Sequence, residues 1–213
     1  MAGIVRWTNK GWVDQKLAML TRRMMDKFAC WSVFDPMPSF YEALAGGEDD
    51  DLQACAGKIA RHLGLSCDPK LSYEFTIKMG RESAGDIRYE HIGRSEIRIP
   101  LDYVGKPMAL GGILSHELTH EFLFARRFAF PTAEEIEPLT DLAAIYLGLG
   151  RTMLNGIITD SSPDVSEVTT LGYLEPAVKV YAYRAVGASH GLDEAMLRRG
   201  LSRDAIQLLE EHS

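Results

Sequence analysis

The chain has 213 residues, 46% of them hydrophobic and 25% charged, with 19 Gly, 9 Pro and 3 Cys, which excludes disordered, collagen-like and disulfide-stapled classes. A formal charge of −7 and the lack of any long Lys/Arg run argue against a nucleic-acid backbone or an anionic membrane as direct partner. A chain of this length buries a core without a metal staple, so a metal found in it is expected to serve chemistry.

The first residues, MAGIVRWTNKGWVDQK, carry polar side chains where a secretory apolar run would stand, and no stretch of 18 residues is free of charge. A cytoplasmic protein is expected. From Trp12 to Phe34, Val13, Leu17, Leu20, Met24 and Phe28 recur at helical spacing, which predicts an amphipathic helix. PMPSF and AGGEDDD read as a break. Asp49, Asp50 and Asp51 suit the first turn of a second helix that runs to about Leu63 and closes at Gly64. LSYEFTIKM, DIRYEHI and SEIRI alternate apolar and polar residues between the turn-like GRESAG and GRS, so a small antiparallel sheet is expected, ended by Pro100.

A long helix follows from Pro107 to Arg126, then a loop at FAFPT, then a helical run from about Glu134 to Leu149. Thr132 and Glu135 fit a capping box for that run. Beyond a Ser, Asp and Pro stretch near 160 to 166, a helix from Pro176 to Val186 and one or two amphipathic helices complete the chain. The expected fold class is α+β: a small antiparallel or mixed sheet packed on two helices, with a mostly helical C-terminal part. The expected organisation is one domain over 1–213, with an N-terminal helical segment to about 45, a core at 52–150 and a helical segment at 157–213. Cys30, Cys55 and Cys67 are odd in number and lack CxxC spacing, so they read as reduced, inert thiols.

The long helix contains HELTH. His116 and His120, four residues apart, project from one face and can grip a single Zn²⁺, with Glu117 beside them. The competing view makes them core histidines, since Leu114, Leu118 and Phe122 line the other face, but two imidazoles and a carboxylate are costly to bury without a charge partner. A catalytic zinc takes three protein ligands and leaves one position for water. In AEEIEPLTDLAAIYLGLG, Glu137 and Asp141 share a helix face, so Glu137 is inferred to complete the site. Asp141 then accepts from the free ring nitrogen of His116. Pro138 places Glu137 near the helix start or at a kink. Glu134, seven residues before Asp141, is a rival ligand on nearly the same face. Ala144, Gly148 and Gly111 are small enough to allow close helix approach.

HELTH followed after 16 residues by the ExxxD of Glu137 to Asp141 resembles the gluzincin zinc metallopeptidases, the thermolysin-like class. The compact size is similar to the minigluzincins, including ImmA/IrrE-like peptidases. The resemblance spans about residues 52 to 150. It implies His116, His120 and Glu137 as zinc ligands, Glu117 as general base, Asp141 in support of His116, and a strand at Ile97 to Ile99 pairing with substrate backbone. It also implies a His or Tyr that stabilises the oxyanion, for which Tyr173 in LGYLEP ranks ahead of His190 in ASHGL. The function expected is a peptidase acting on a protein or peptide substrate, with a dedicated partner in a regulatory or defence pathway suggested by the small size. Zn²⁺ is the expected metal, with Mn²⁺ or Co²⁺ able to replace it in a preparation. The alternative is an inactive metal-binding module whose fourth metal position is closed by Glu134 or His190.

Overall fold

A computed structural model describes residues 9–24, 31–65, 70–74, 86–91, 94–159, 168–169 and 172–212. The helices are α1 (Lys10–Met24), α2 (Pro38–Gly46), α3 (Asp49–His62), α4 (Pro107–Ala125), α5 (Ile136–Ala144), α6 (Gly150–Asn155), α7 (Pro176–Ser189), α8 (Glu194–Arg198) and α9 (Arg203–Glu211). Strands β1 (Lys70–Glu74), β2 (Asp86–His91) and β3 (Arg94–Pro100) lie between α3 and α4, and a two-residue pair, β4 (Ile158–Thr159) with β5 (Val168–Thr169), lies between α6 and α7. No helix among the described residues is long and apolar enough to cross a membrane.

The α+β expectation is corrected: the protein is predominantly helical. Helix α4 is buried along nearly its whole length, from Ala109 to Leu123 with only His120 partly open. Its apolar residues recur on every side, so it must be covered on every side, and α2, α3, α5 and α6 do most of the covering. Of the strands, β3 places Ile97 and Ile99 in the core. The three longer strands pair in the mixed manner, one of the two arrangements expected. β3 is central, parallel to β1 with Leu71 opposite Ile97, and antiparallel to β2 with Ile87 opposite Ile97. Both edges of β3 are therefore occupied, which overturns the expectation that Ile97 to Ile99 pairs with substrate.

Several helix boundaries differ from the sequence reading for local reasons. α1 runs to Met24, and residues 31–37 are not helical; Phe28, Cys30 and Cys67 lie outside the described residues, as does the 160–166 stretch. The run read as a break holds α2, with Pro38 in its first turn and Gly47 at φ 72 closing it in the left-handed conformation, the two positions where Pro and Gly punctuate rather than disrupt a helix. The 134–149 run divides into α5 and a π-helical turn, Ile145–Leu149. Gly148 within it has φ 91, and a Cβ there would stand 2.1 Å from the Ser32 carbonyl oxygen. It accommodates the 31–37 segment, whereas the close approach to α4 is made by Gly156, whose added Cβ would stand 3.0 Å from the Gly112 Cα. Gly111 faces the rings of Tyr41 and Phe40.

The π turn frees carbonyls that an α-helix would use internally. Trp31 Nε1 donates to Tyr146 O at 2.8 Å, the Phe34 N–H donates to Gly148 O at 3.0 Å, and His62 Nε2 lies 2.9 Å from Leu147 O. Cys55 is a buried free thiol whose Sγ lies 3.5 Å from the Phe40 carbonyl.

Candidate metal centre

Helix α4 places His116 and His120 one turn apart, with ring centroids separated by 4.7 Å and ring planes nearly perpendicular. Helix α5 packs against α4 and brings Glu137, its second residue, to the same point. Pro138 therefore sits in the first turn, where its missing N–H costs nothing. Glu137 Oε2 is 3.0 Å from His116 Nε2 and 3.1 Å from His120 Nε2, and the two Nε2 atoms are 3.0 Å apart. These three residues form a group able to hold a metal ion. Their nearly equilateral spacing fits the donor set: with bonds of roughly 2.0–2.1 Å, a tetrahedral zinc separates its ligand atoms by about 3.3 Å. The histidine side chains are 10% exposed and that of Glu137 is 39% exposed, so the cluster opens on the glutamate side.

The ring nitrogens facing away from the cluster are both engaged. His116 Nδ1 is 2.8 Å from Asp141 Oδ1, and a carboxylate can only accept, so Nδ1 keeps a proton and Nε2, which in the metal-free protein faces the Glu137 carboxylate, is the nitrogen that would give up its proton to a metal. His120 Nδ1 is 3.2 Å from Thr140 Oγ1, whose single proton goes to Ile136 O at 2.8 Å. Thr140 therefore accepts from His120, and the same tautomer results. Such partners orient metal-binding imidazoles and raise their basicity.

Asp141 has no exposed surface. Its Oδ2 accepts from the backbone N–H groups of Tyr173 at 2.7 Å and Leu174 at 3.0 Å, and Lys179 Nζ stands 3.5 Å away. Burial opposes its charge, but Lys179 and His116 outweigh burial and hold the carboxyl well below the usual carboxylate range. Burial likewise works against a charged His116, yet its bonds to Asp141 and Glu137, with the nearby charges of Asp141 and Glu117, raise it to about 10 in the metal-free protein. For Glu137, burial is again outweighed, here by the two imidazoles, and its pKa falls to about 2.

Glu117 is buried, at 5% exposed, and close enough for its charge to act on both His116 and Tyr173. The Tyr173 ring stacks on His116 with centroids 5.8 Å apart, and the residue is 45% exposed. Burial, then the charges of Glu137, Glu117 and Asp141, push its hydroxyl up to about 12, so the phenol keeps its proton.

The other candidates lie elsewhere. His190 stacks flat on Trp31 at 3.7 Å. Glu134 is exposed and hydrogen-bonded to the Thr132 side chain. Glu135 makes no capping box: it is buried against Lys16, with Nζ to Oε1 at 2.7 Å, and accepts from Trp12 Nε1 at 3.2 Å. The sequence reading missed Thr140 and Lys179. Thr140 had a signal in its place directly before Asp141, where the same turn of helix reaches the second imidazole; Lys179, in a mostly apolar stretch of helix, had none.

HELTH with Glu137 thus forms a largely buried cluster that resembles an HExxH-type zinc-binding motif. Comparison with protein-family models, with curated proteins and with solved structures finds no match to this chain.

Proposed function

We propose that the chain is a zinc-dependent endopeptidase of the gluzincin type, similar to the compact minigluzincins, working as a single domain in the cytoplasm on a protein or peptide substrate. The observation that carries this reading is the convergence of His116 Nε2, His120 Nε2 and Glu137 Oε2 within about 3 Å of one another, with the Glu117 carboxylate on the same helix.

Zinc held by His116, His120 and Glu137 would supply Lewis acidity, which makes water a nucleophile near neutral pH. Glu117 takes the proton from the attacking water and delivers it to the leaving amine. Asp141 and Thr140 keep both imidazoles in the tautomer that presents Nε2. The protonated Tyr173 hydroxyl, beside His116, is the donor for the developing oxyanion. Glu134 and His190, the side chains that would have closed a fourth position, are both engaged away from the cluster, which favours hydrolysis over a purely binding role. The substrate class proposed is a dedicated protein partner in a regulatory or defence pathway.

The test is the zinc content of purified protein together with cleavage of an unfolded protein such as casein. The wild type is expected to hold one zinc per chain and to cleave, and Glu117→Gln to hold zinc and not cleave. Equal cleavage by the variant would remove Glu117 as the base, and failure to bind zinc would remove the metal reading.

A further inference from the structure

Helix α7 buries a lysine in the body of the protein. Lys179 is 1% exposed, between Val178 and Val180, which are also buried. An ammonium at such a depth is expensive unless paired, and a carboxylate that lies within reach is Asp141, 0% exposed, with Nζ to Oδ2 at 3.5 Å. The backbone is shaped to admit this pair. At Gly172, where φ is 93, a Cβ would stand 2.5 Å from Lys179 Nζ and 2.6 Å from Asp141 Oδ2. Only a residue without a side chain lets the chain pass over the two charges and then turn the N–H groups of Tyr173 and Leu174 onto the same Oδ2.

The consequence falls on the other carboxylate oxygen. Lys179 and two backbone N–H groups converge on Oδ2 from α7 and from the 172–174 turn, so the carboxylate is held from one side and Oδ1 is left facing His116 Nδ1 at 2.8 Å. We infer that Lys179 is a positioning residue of the metal centre: its buried ammonium fixes Asp141 so that Asp141 fixes His116. Lys179 does not touch the metal ligands; it acts through the aspartate. The inference rests on the metal-binding reading of His116, His120 and Glu137, but not on catalysis.

The experiment is a double-mutant cycle read in zinc affinity, measured by competition with a chromophoric chelator on the full chain. Lys179→Met, Asp141→Asn and the double variant are compared with wild type. The visible absorption of the Co²⁺-loaded forms reports ligand geometry, and the melting temperatures of the metal-free forms report folding. Lys179→Met is expected to weaken zinc binding by about 10-fold or more, the range seen when outer partners of metal ligands are lost, and to alter the Co²⁺ bands. In the Asp141→Asn background the same change is expected to cost no further affinity.

Unchanged affinity with a lowered melting temperature would make Lys179 merely structural and overturn the inference. An equal loss in both backgrounds would overturn it too, because Asp141 would not be the intermediary. If Lys179→Met alone fails to fold, the double variant, which removes the Asp141 charge as well, is compared with Asp141→Asn: equal affinity supports the inference and a further loss overturns it. A wild-type chain that binds no zinc overturns the metal reading itself, and this inference with it.

Discussion

Asp141 and Tyr173 are joined at 2.7 Å through the backbone N–H of the tyrosine, so the carboxylate that holds one edge of His116 also anchors the residue whose ring lies against its face. One buried group thereby ties an imidazole of the candidate metal centre, a turn of backbone and the proposed oxyanion donor into a single unit. Asp141→Ala would orphan the two N–H groups and leave the buried Lys179 without this carboxylate. Removing one partner of a buried ion pair typically costs about 3–5 kcal/mol, and a loss of this size is expected in urea unfolding of the metal-free protein. Zinc affinity is expected to fall by about 10–100-fold in the folded fraction. A variant with wild-type affinity would show that His116 does not need the aspartate.

Thr140 does for His120 what Asp141 does for His116, with a neutral acceptor in place of a charged one. Thr140→Val keeps the shape and removes the hydroxyl, freeing His120 Nδ1 while the Ile136 carbonyl loses an extra donor. A fall in zinc affinity of about 10-fold, the lower end of the range for such partners, is expected, with recovery in Thr140→Ser. Because no charge is left buried, stability should drop by about 1–2 kcal/mol. Chelator competition and urea unfolding on the three proteins check both statements, and an affinity unmoved by valine would remove Thr140 from the site.

What could be read from the residues alone follows from how local each signal is. His116 and His120 need only the helical repeat to share a face, and Glu137 with Asp141 need only the next one, so the cluster was visible before any packing was known. Glu134 and Glu137 were separable only once Pro138 was seen in the first turn of α5, since that sets which acid faces α4. Helix α2 was hidden because Pro38 and Gly47 look like breakers until their places at its two ends are known. The parallel pairing of β1 with β3 is a tertiary choice that alternation does not encode. Nor does local pattern show how far the helices outweigh the strands, which is why an α+β fold was expected where a predominantly helical one is found. Lys179 was illegible for a related reason: a lysine in an apolar helix usually lifts its charge to solvent, and only the position of Asp141 reveals that this one stays inside.

Helix α1 braces the metal centre from the side of α5. Lys16 and Glu135, both 8% exposed, pair directly ahead of the turn that carries Glu137, and Trp12 donates to the same carboxylate. Lys16→Met should strand the Glu135 charge and cost about 3–5 kcal/mol in urea unfolding. Adding Glu135→Gln should recover much of that loss, since the uncompensated carboxylate is then gone. Double-mutant unfolding curves, with Trp12 contributing to the fluorescence signal, check the coupling; losses that simply add would mean that the pair is not an energetic unit.

His62 gives the metal-free protein an acid-sensitive joint away from the metal cluster. Its ring packs edge-on to Phe34 at 5.5 Å, and Nε2 reaches the Leu147 carbonyl of the π turn. Burial lowers its pKa and outweighs the opposing effect of that carbonyl. The sign follows from linkage. Above the unfolded value of about 6.5 both states are neutral and His62 adds no pH dependence. As pH falls below that value the unfolded chain takes up a proton that the folded ring resists, so stability declines until the folded pKa is passed. His190, lowered by burial against Trp31, adds in the same direction. His116 runs oppositely: raised in the metal-free fold, it contributes stability fully below about 6.5 that is lost as pH climbs toward its folded value of about 10. Over pH 7 to 5 that contribution is nearly complete and common to both proteins compared. Replacing His62 with Gln keeps an amide donor for Leu147 O and removes the titration, so urea unfolding of chelated protein should show a shallower loss of stability between pH 7 and pH 5 in His62→Gln than in wild type. Parallel pH profiles would mean that His62 opens to water before it is protonated and that the π turn is not held by its neutral form.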